Sequence, residues 1–392
     1  MVRLRRLAAR ARHGPGTMPL RSSSNDDRAA GVFSGWPADL CPLSAGLDSR
    51  FIAAGLKAVG YRNVRTFSYG RPRNHEAETA KAIAEQLGYS WTFVPFTAQK
   101  QRAMFDDQQH ENALWERHDA CTSVPFEQDW LAITTLQRSG VITEDAIIVN
   151  GQSGDFITGN HAPAALMSTP VGESPEARQA RVLSAITAKH YRLWGSLATP
   201  RNDATIAALL LEEAKAAGAT FGDDEALHGI HEMLEYQDRQ VKYVISGQRT
   251  YDALGISWRL PLWDDEYVMF WRRAPASLKR DQNLYRRVLQ ADNWGGVFQN
   301  IPVNRKTITP AWIRPLRTAT KLAIAPFGRS RWHAVERRAF AWWMDPLRVS
   351  AVIPYQRALF DQRGARHAVA HLTERYLAKH GVSLDDLGSV NP

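Results

Sequence analysis

Residues 41–50 read CPLSAGLDSR, and this stretch decides the fold. A β-rich run, DLCPL, stops at a set of small residues, and the run SRFIAAGLKAV that follows has helical spacing. A loop between a strand and a helix places backbone N–H groups and the positive end of the helix dipole where an anion can bind. Small residues suit this position because the backbone must approach a phosphate closely. The stretch predicts either a phosphate-binding loop in which Asp48 holds Mg²⁺, or a turn in which Asp48 caps the helix.

Strand-like and helical runs alternate from about residue 40 onward. NVRTFSYG and SWTFVPF are rich in β-branched and aromatic residues, and NHEAETAKAIAEQLG between them opens with the cap candidate Asn74 and closes at Gly88. This alternation predicts βαβ units and a parallel sheet. EDAIIVNG predicts a further strand, and we expect the sheet to end there because helical periodicity dominates beyond residue 165.

A second loop rich in small residues follows the strand EDAIIVNG. Its residues 151–156 read GQSGDF, preceded by Asn150. Ligands of open α/β sheets bind at the carboxyl ends of the strands. Asp48 and Asp155 could therefore share one hard cation with a nucleotide pyrophosphate. The alternative is a glycine-rich turn in which Asp155 caps a helix.

Composition narrows the class of protein. With 392 residues, 44% of them hydrophobic, the chain can bury a large core. Cys41 and Cys121 have no CxxC spacing, which predicts neither a disulfide framework nor a structural zinc site and favours a reducing, cytoplasmic location. No stretch approaches the roughly 18 apolar residues of a membrane span. The net charge of +9 favours anionic partners.

Three stretches, in this order along the chain, resemble the synthetase domain of the asparagine synthetase family, which has the N-type ATP pyrophosphatase fold. SAGLDS, residues 44–49, resembles the family's SGGLDS, and GQSGDF resembles its GEGSDE. RTYDALGISWRLPLWDDEYVMFW, residues 249–271, resembles a family segment that contains R-x-P-x-x-D. The matching residues there are Arg259, Pro261 and Asp264. The resemblance spans about residues 40–306. It implies an α/β fold with a doubly wound parallel sheet of the adenine nucleotide alpha hydrolase-like type and a mainly helical C-terminal part.

The resemblance also implies an ATP- and Mg²⁺-dependent, asparagine synthase-like ligase. Such an enzyme adenylates a carboxylate with release of pyrophosphate, after which ammonia or another amine displaces AMP. The residues implied to bind ATP are Leu43, Ser44, Ala45, Gly46, Leu47, Asp48, Ser49, Tyr69, Asn150 and Gly151. Asp48 and Asp155 are the implied Mg²⁺ ligands, and Gln152, Arg259 and Lys279 are the catalytic candidates. The expected partners are ATP and a carboxylate substrate.

The chain departs from the family pattern at several site positions. The departures are Ala45 for a glycine, Gln152 for a glutamate, Phe156 for an acid, and Gln282 and Asn283 for a lysine that precedes a Leu-Arg pair. Gln152 cannot ionise, so an acid–base or charge-pairing role is lost there. Lys279 or Arg280 could replace the missing lysine.

Four regions are predicted along the chain. Residues 1–38 are a basic, disordered segment, and 39–165 are the α/β ATP-pyrophosphatase core. Residues 166–300 are a helical part that completes the synthetase domain, and 301–392 are a basic, Trp-containing helical region. Basic residues that include Arg305, Lys306 and Arg317 surround the lone acid Glu336, a pattern typical of a solvated face that would also suit single-stranded nucleic acid or an anionic glycan.

The nitrogen source and the substrate stay open at this point. Glutamine-dependent members begin with a glutaminase domain whose catalytic Cys follows the initiator Met, but this chain has Val2. We expect free ammonia, another amine or a separate glutaminase subunit, unless the chain is a fragment of a longer gene product. The alternatives are an ATP-pyrophosphatase acting on a sugar carboxylate in polysaccharide biosynthesis or on RNA, and a degenerate non-catalytic nucleotide-binding protein. Nucleic acid is the less favoured partner.

Overall fold

The computed structural model describes residues 39–118, 123–127, 129–167, 172–222, 227–303, 308, 310–345, 348–365 and 367–384. The segment 1–38, Cys121, Arg305 and Lys306 lie outside these residues. Two compact units divide the chain, and each combines three stretches of sequence. Of the described residues, the first unit takes those within Met1–Pro95, Glu127–Pro170 and Val244–Arg305, and the second takes those within Phe96–Phe126, Val171–Tyr243 and Lys306–Pro392. The four consecutive regions expected from the sequence stay a prediction.

Five parallel strands form one sheet in the first unit, in the order β3-β2-β1-β4-β5. They are β1 (Asp39–Pro42), β2 (Val64–Gly70), β3 (Ser90–Pro95), β4 (Ile147–Val149) and β5 (Ser257–Arg259). Asp39 of β1 aligns with Val64 on one side and with Ile147 on the other. The strand order therefore reverses between β1 and β4, and the loops that follow these two strands open at the same edge of the sheet.

The expectation that the sheet ends with β4 is wrong. β5 extends it, with Val149 aligned with Arg259. Since β5 has only three residues, of which Ser257 and Arg259 are exposed, it shows too little alternation for a strand to be recognised from sequence.

Helices provide the other regular elements. The α-helices are α1 (Leu47–Ala58), α2 (His75–Leu87), α3 (Ala98–Asp106), α4 (Gln108–Arg117), α5 (Trp130–Arg138), α6 (Gly154–Ile157), α7 (Pro175–His190), α8 (Pro200–Ala216), α9 (Leu227–Glu235), α10 (Arg249–Ala253), α11 (Asp265–Arg272), α12 (Ala276–Lys279), α13 (Asn283–Asp292), α14 (Ile313–Ile324), α15 (Arg329–Val335), α16 (Ala341–Met344), α17 (Arg348–Val352), α18 (Tyr355–Phe360) and α19 (Ala368–Lys379). Two π-helical segments, Tyr236–Ile245 and Glu336–Phe340, follow α9 and α15. Among the described residues, no helix is long and apolar enough to cross a membrane.

Helix α2 begins and ends at the residues that the sequence predicts. The Asn74 side chain accepts a hydrogen bond from the Ala77 N–H at 2.8 Å, and Gly88 ends the helix with a left-handed φ of 69°. The parallel fold with flanking helices confirms the α/β prediction.

Helix α1 is fixed by aromatic packing in the core of the first unit. Phe51 stacks on Trp294 with ring centroids 5.5 Å apart and meets the edge of Tyr285 at 5.9 Å. Such aromatic contacts add to the stabilisation from burial itself. The start of α1, which carries Asp48, is thereby held against the α13 region.

Candidate functional site

The SAGLDS loop, residues 44–49, is hydrogen-bonded within itself. The Ser44 N–H donates to the Ser49 hydroxyl at 3.1 Å, and the Gly46 N–H donates to the Ser44 hydroxyl at 3.1 Å. Gly46 is the N-cap residue of α1, and no side chain caps this end. The capping interpretation of Asp48 is therefore wrong, and its carboxylate is left for another role.

A buried arginine, Arg50, which the sequence analysis did not identify, also holds the SAGLDS loop. Arg50 is fully buried, and its guanidinium donates to the carbonyl oxygens of Ala45 at 3.0 Å, Val297 at 2.9 Å, Ile301 at 2.8 Å and Pro302 at 3.0 Å. Burial lowers the pKa of Arg50 to about 10, so the side chain stays charged at neutral pH. The Arg50 guanidinium thus holds the Ala45 carbonyl in a fixed position.

The GQSGDF loop, residues 151–156, packs directly on the SAGLDS loop through two glycines. A Cβ atom added at Gly151 would lie 2.7 Å from the backbone carbon of Asp48, and one added at Gly154 would lie 2.6 Å from the Asp48 Cγ and from the Leu262 Cδ1. Atoms at these separations overlap, so only glycine permits the approach. The backbone N–H of Asp155 donates to the Asp48 carboxylate. The structure therefore brings together the two acids that the sequence predicts as Mg²⁺ ligands.

The Asp48 carboxyl has an unusual environment. Burial raises its pKa to about 7, and the negative charge of Asp155 adds to the rise, while a hydrogen bond donated by Tyr285 at 3.0 Å opposes it. Asp155 accepts from His161 at 3.0 Å and is not a helix cap, since α6 has Ser153 at that position. The negative charge of each carboxylate disfavours ionisation of the other, so a cation bound between them would stabilise both charges. Their hard oxygen donors fit Mg²⁺.

Three of the residues implied to bind ATP, Leu43, Tyr69 and Asn150, lie at the ends of three strands; the resemblance implies that they line the adenosine. The Leu43 N–H donates to the Phe67 carbonyl at 2.8 Å, and the Leu43 carbonyl accepts from the Ser68 hydroxyl at 2.7 Å. Tyr69 is exposed near the end of β2, and Asn150 is buried directly after β4. All lie at the carboxyl edge of the sheet, where open α/β folds bind ligands. Their contacts with ATP stay a prediction.

A buried polar network includes Gln152, which stands where the family has a glutamate. The Gln248 amide donates to the Gln152 Oε1, and the Asn150 amide donates to the Gln248 Oε1 at 2.8 Å. The Tyr251 hydroxyl accepts from Asn150 at 3.4 Å and donates to Asp129 at 3.0 Å. Burial raises the pKa of Asp129 to about 7, although the bond from Tyr251 opposes the rise. Gln152 is thus oriented by a chain of buried groups that ends on a carboxyl.

The two basic catalytic candidates lie in different surroundings. Arg259 is exposed at the end of β5, and its guanidinium donates to the Trp258 carbonyl at 2.7 Å. Lys279 is buried at 2% exposure, and a Cβ atom added at Gly159 would lie 2.6 Å from the Lys279 Cβ. Both catalytic roles stay predictions.

Two of the departures from the family pattern belong to the core. Phe156 is buried and meets the ring of His161 edge-on at 5.9 Å. The buried Gln282 amide donates to the Thr158 hydroxyl at 2.6 Å, and that hydroxyl donates to the Gly154 carbonyl at 2.7 Å. Gln282 therefore supports the GQSGDF loop from behind.

Comparison with protein families agrees with this arrangement. The family model described as Asparagine synthase matches residues 40–291, more than half of the chain. The chain belongs to the asparagine synthase family. The match confirms the resemblance predicted from SAGLDS, GQSGDF and the 249–271 segment, and an ATP-dependent enzyme of the synthetase kind is what this family supports. A comparison with curated proteins gives no match to the chain.

Proposed function

We propose that this asparagine synthase family member is an ATP- and Mg²⁺-dependent ligase that converts a carboxylate into an amide. In the first step a carboxylate oxygen bonds to the α-phosphorus of ATP and pyrophosphate leaves. In the second, an amine nitrogen bonds to the acyl carbon, loses a proton, and AMP leaves. The observation that carries the proposal is the glycine-mediated contact between the SAGLDS and GQSGDF loops, which sets Asp48 beside Asp155.

In this proposal the residues of the two loops have different roles in binding Mg²⁺ and phosphate. Asp48 and Asp155 would hold Mg²⁺, which when bound neutralises phosphate charge. The hydroxyls of Ser44 and Ser49 lie 3.0 Å apart, and each can donate a hydrogen bond to a phosphate oxygen. Because Arg50 holds the Ala45 carbonyl, the loop has its shape before ligand binds, which is the preorganisation that electrostatic catalysis requires.

Gln152 determines the protonation state in which the amine must reach the site. Its amide oxygen is engaged by Gln248, and an amide nitrogen can donate but cannot take up a proton at neutral pH. In this proposal Gln152 orients an acceptor group of the substrate, and the nucleophile arrives as the free amine. Amide formation should therefore rise with pH up to the pKa of the amine.

The test is incubation of the full chain with ATP, Mg²⁺, ammonia and a panel of acids that includes aspartate and sugar carboxylates. We expect pyrophosphate and AMP in equal amounts, dependent on one class of acid. Asp48→Asn should abolish their release, whereas Asp265→Asn, which changes an exposed carboxylate in the first turn of α11, should not. Absence of pyrophosphate with every acid, with or without an added glutaminase, would refute the proposal.

A second candidate is a nucleotide-binding protein without turnover. It is favoured by one observation, the replacement of the family's glutamate by Gln152 within a satisfied hydrogen-bond network. If ATP binds without pyrophosphate release in the parent chain and also in Gln152→Glu, this candidate replaces the first.

The RNA alternative would depend on the exposed Trp312 of the basic C-terminal region, because other aromatic and basic groups there pack against one another. The Arg317 guanidinium lies 5.2 Å from the centre of the Trp332 ring and pairs with Glu336. Trp332 is buried. These aromatic and basic groups stabilise one another within the second unit.

A further inference from the structure

Two imidazoles and a carboxylate meet in the second unit, in a cluster formed by His190, His231 and Glu235. One potential ligand atom from each lies within 4.8 Å of the others. The Nε2 of His190 is 3.1 Å from the Oε2 of Glu235, and the Nδ1 of His231 is 3.9 Å from the same oxygen. Three donor atoms therefore surround one point, although the three residues span 46 positions of sequence.

The packing of helices α7 and α9 brings these three side chains together. His231 and Glu235 stand four residues apart on α9, which places them on the same helical face. His190 is the last residue of α7, and α7 packs against α9. Both helices also present buried apolar residues, Leu183 and Ile186 on α7 and Ile230 and Leu234 on α9. The cluster thus lies on a framework that apolar burial holds in place.

The environment of Glu235 resembles that of a metal-binding carboxylate. Its side chain is fully buried, and the amide of the buried Gln240 donates to the Oε1 at 3.2 Å. This bond orients the carboxylate with its Oε2 toward His190. Partners of this kind, which fix a ligand without touching the metal, are typical of metal sites. A π-helical segment begins directly after Glu235, at Tyr236, and such segments are frequent at functional sites.

A lysine forms an ion pair with the same oxygen of the Glu235 carboxylate. The Lys189 Nζ is 3.0 Å from the Glu235 Oε2, and the Arg239 guanidinium is 4.0 Å from the Oε1. The Lys189 side chain is 31% exposed, so its ammonium can turn into solvent. A cation at the cluster would therefore compete with Lys189 for Glu235.

We propose that His190, His231 and Glu235 bind one divalent transition-metal ion, with Zn²⁺ as the fitting class, in place of the Lys189 ammonium. Two histidines and a glutamate are a donor set that zinc accepts, with water as a further ligand. Imidazole nitrogens select such ions over Mg²⁺, which prefers oxygen ligands. The site belongs to the second unit, and its role is to join α7 to α9 independently of the proposed ligase activity.

The test uses the full chain, freed of metal by a chelator and titrated with Co²⁺ and Zn²⁺. Co²⁺ bound by nitrogen and oxygen donors gives visible absorption bands, and a ligand that stabilises the folded state raises the melting temperature. We expect one Co²⁺ per chain and a Zn²⁺-dependent rise in melting temperature. His231→Asn should weaken binding at least ~100-fold, while His110→Asn, which changes another buried histidine of this unit, should leave it unchanged.

Lys189→Gln keeps the proposal testable if His231→Asn does not fold. Removal of the competing ammonium should tighten Co²⁺ binding by roughly 10-fold, since a like charge near the ion is lost. A purely structural ion pair predicts the reverse, with a lower melting temperature and no gain in affinity. The proposal is overturned if Lys189→Gln binds Co²⁺ no more tightly than the parent chain. It is also overturned if His231→Asn and the parent chain bind Co²⁺ equally.

Discussion

The SAGLDS and GQSGDF loops reach the same edge of the sheet by different means. In the SAGLDS loop the bonds that set the backbone are local, because Ser44, Gly46 and Ser49 satisfy one another within six residues, while the Asp48 carboxylate also accepts from the distant Tyr285. The GQSGDF loop depends on distant partners, because Gln248 orients Gln152, and Leu262 packs over Gly154. A loop whose hydrogen bonds are local keeps its shape through its own residues. A loop that is oriented by residues far away in the sequence can change its chemistry when those residues change. The SAGLDS loop carries one of this chain's departures from the family pattern, Ala45, and the GQSGDF loop carries two, Gln152 and Phe156.

The strongest test of this contrast is Gly154→Ala. The added methyl would overlap the Asp48 carboxylate and force the loops apart, so affinity for Mg²⁺·ATP should fall by roughly 100-fold or more, equivalent to about 2.7 kcal/mol. Calorimetric titration of ATP with Mg²⁺ measures the change. Gly229→Ala is the matched control, since a Cβ atom there meets open space on α9. Equal affinities for the two variants would contradict close packing of the loops.

Arg50→Met tests a long-range support of the SAGLDS loop, the bonds from Arg50 to the carbonyls of residues 297–302. Loss of the guanidinium leaves the carbonyls of Ala45, Val297, Ile301 and Pro302 without this donor. Each buried unpaired group costs about 1–3 kcal/mol, so the free energy of unfolding should fall by about 3 kcal/mol or more in a urea titration. Arg286→Met, on the exposed face of α13, should change it little. An equal effect of both substitutions would show that Arg50 does not hold the loop.

The sequence predicted what is local. SAGLDS lies between a strand and a helix whose patterns are both regular, and α2 carries its cap residues Asn74 and Gly88 in the chain itself. The pairing of SAGLDS with GQSGDF followed from the rule that strand ends share one edge of a sheet. Family membership and the parallel fold were therefore predictable.

What could not be predicted depends on contacts between distant residues. Three of the four acceptors of Arg50 lie about 250 positions away in the chain, and β5 is too short to show alternation. Asp129, Gln248 and Tyr251 form a network that no spacing in the sequence reveals. His190 and His231 lie on different helices, and only the packing of α7 on α9 brings them together.

Asp129→Asn tests the network behind the GQSGDF loop through pH. The folded-state pKa of Asp129, about 7, lies above its ordinary value of 3.8, so between these values the unfolded chain releases a proton that the folded chain retains. Stability should therefore fall as pH rises from about 4 to 7, by up to about 1.4 kcal/mol per pH unit for this group. Asn keeps an acceptor for Tyr251 and removes this slope. Identical pH profiles of urea unfolding for the parent chain and Asp129→Asn would contradict the assignment.

Gln152→Glu is the mildest change, because a glutamate oxygen still accepts from Gln248. We expect the free energy of unfolding to change by less than about 1 kcal/mol. Amide formation should lose part of its dependence on pH, because a carboxylate can take a proton from an incoming ammonium. Initial rates at a series of pH values measure this. A pH profile unchanged from that of the active parent chain would argue against a role for Gln152 in controlling the amine.

The central claim is that the two loops form one cation and nucleotide site. A double-mutant cycle of Asp48→Asn and Asp155→Asn, with Mg²⁺·ATP affinity measured by calorimetry in all four proteins, tests it most directly. If both carboxylates act on one ion, the double variant should lose less affinity than the sum of the single losses, with a coupling of about 1 kcal/mol or more. Strictly additive losses, or Mg²⁺·ATP binding that neither substitution alters, would contradict the claim.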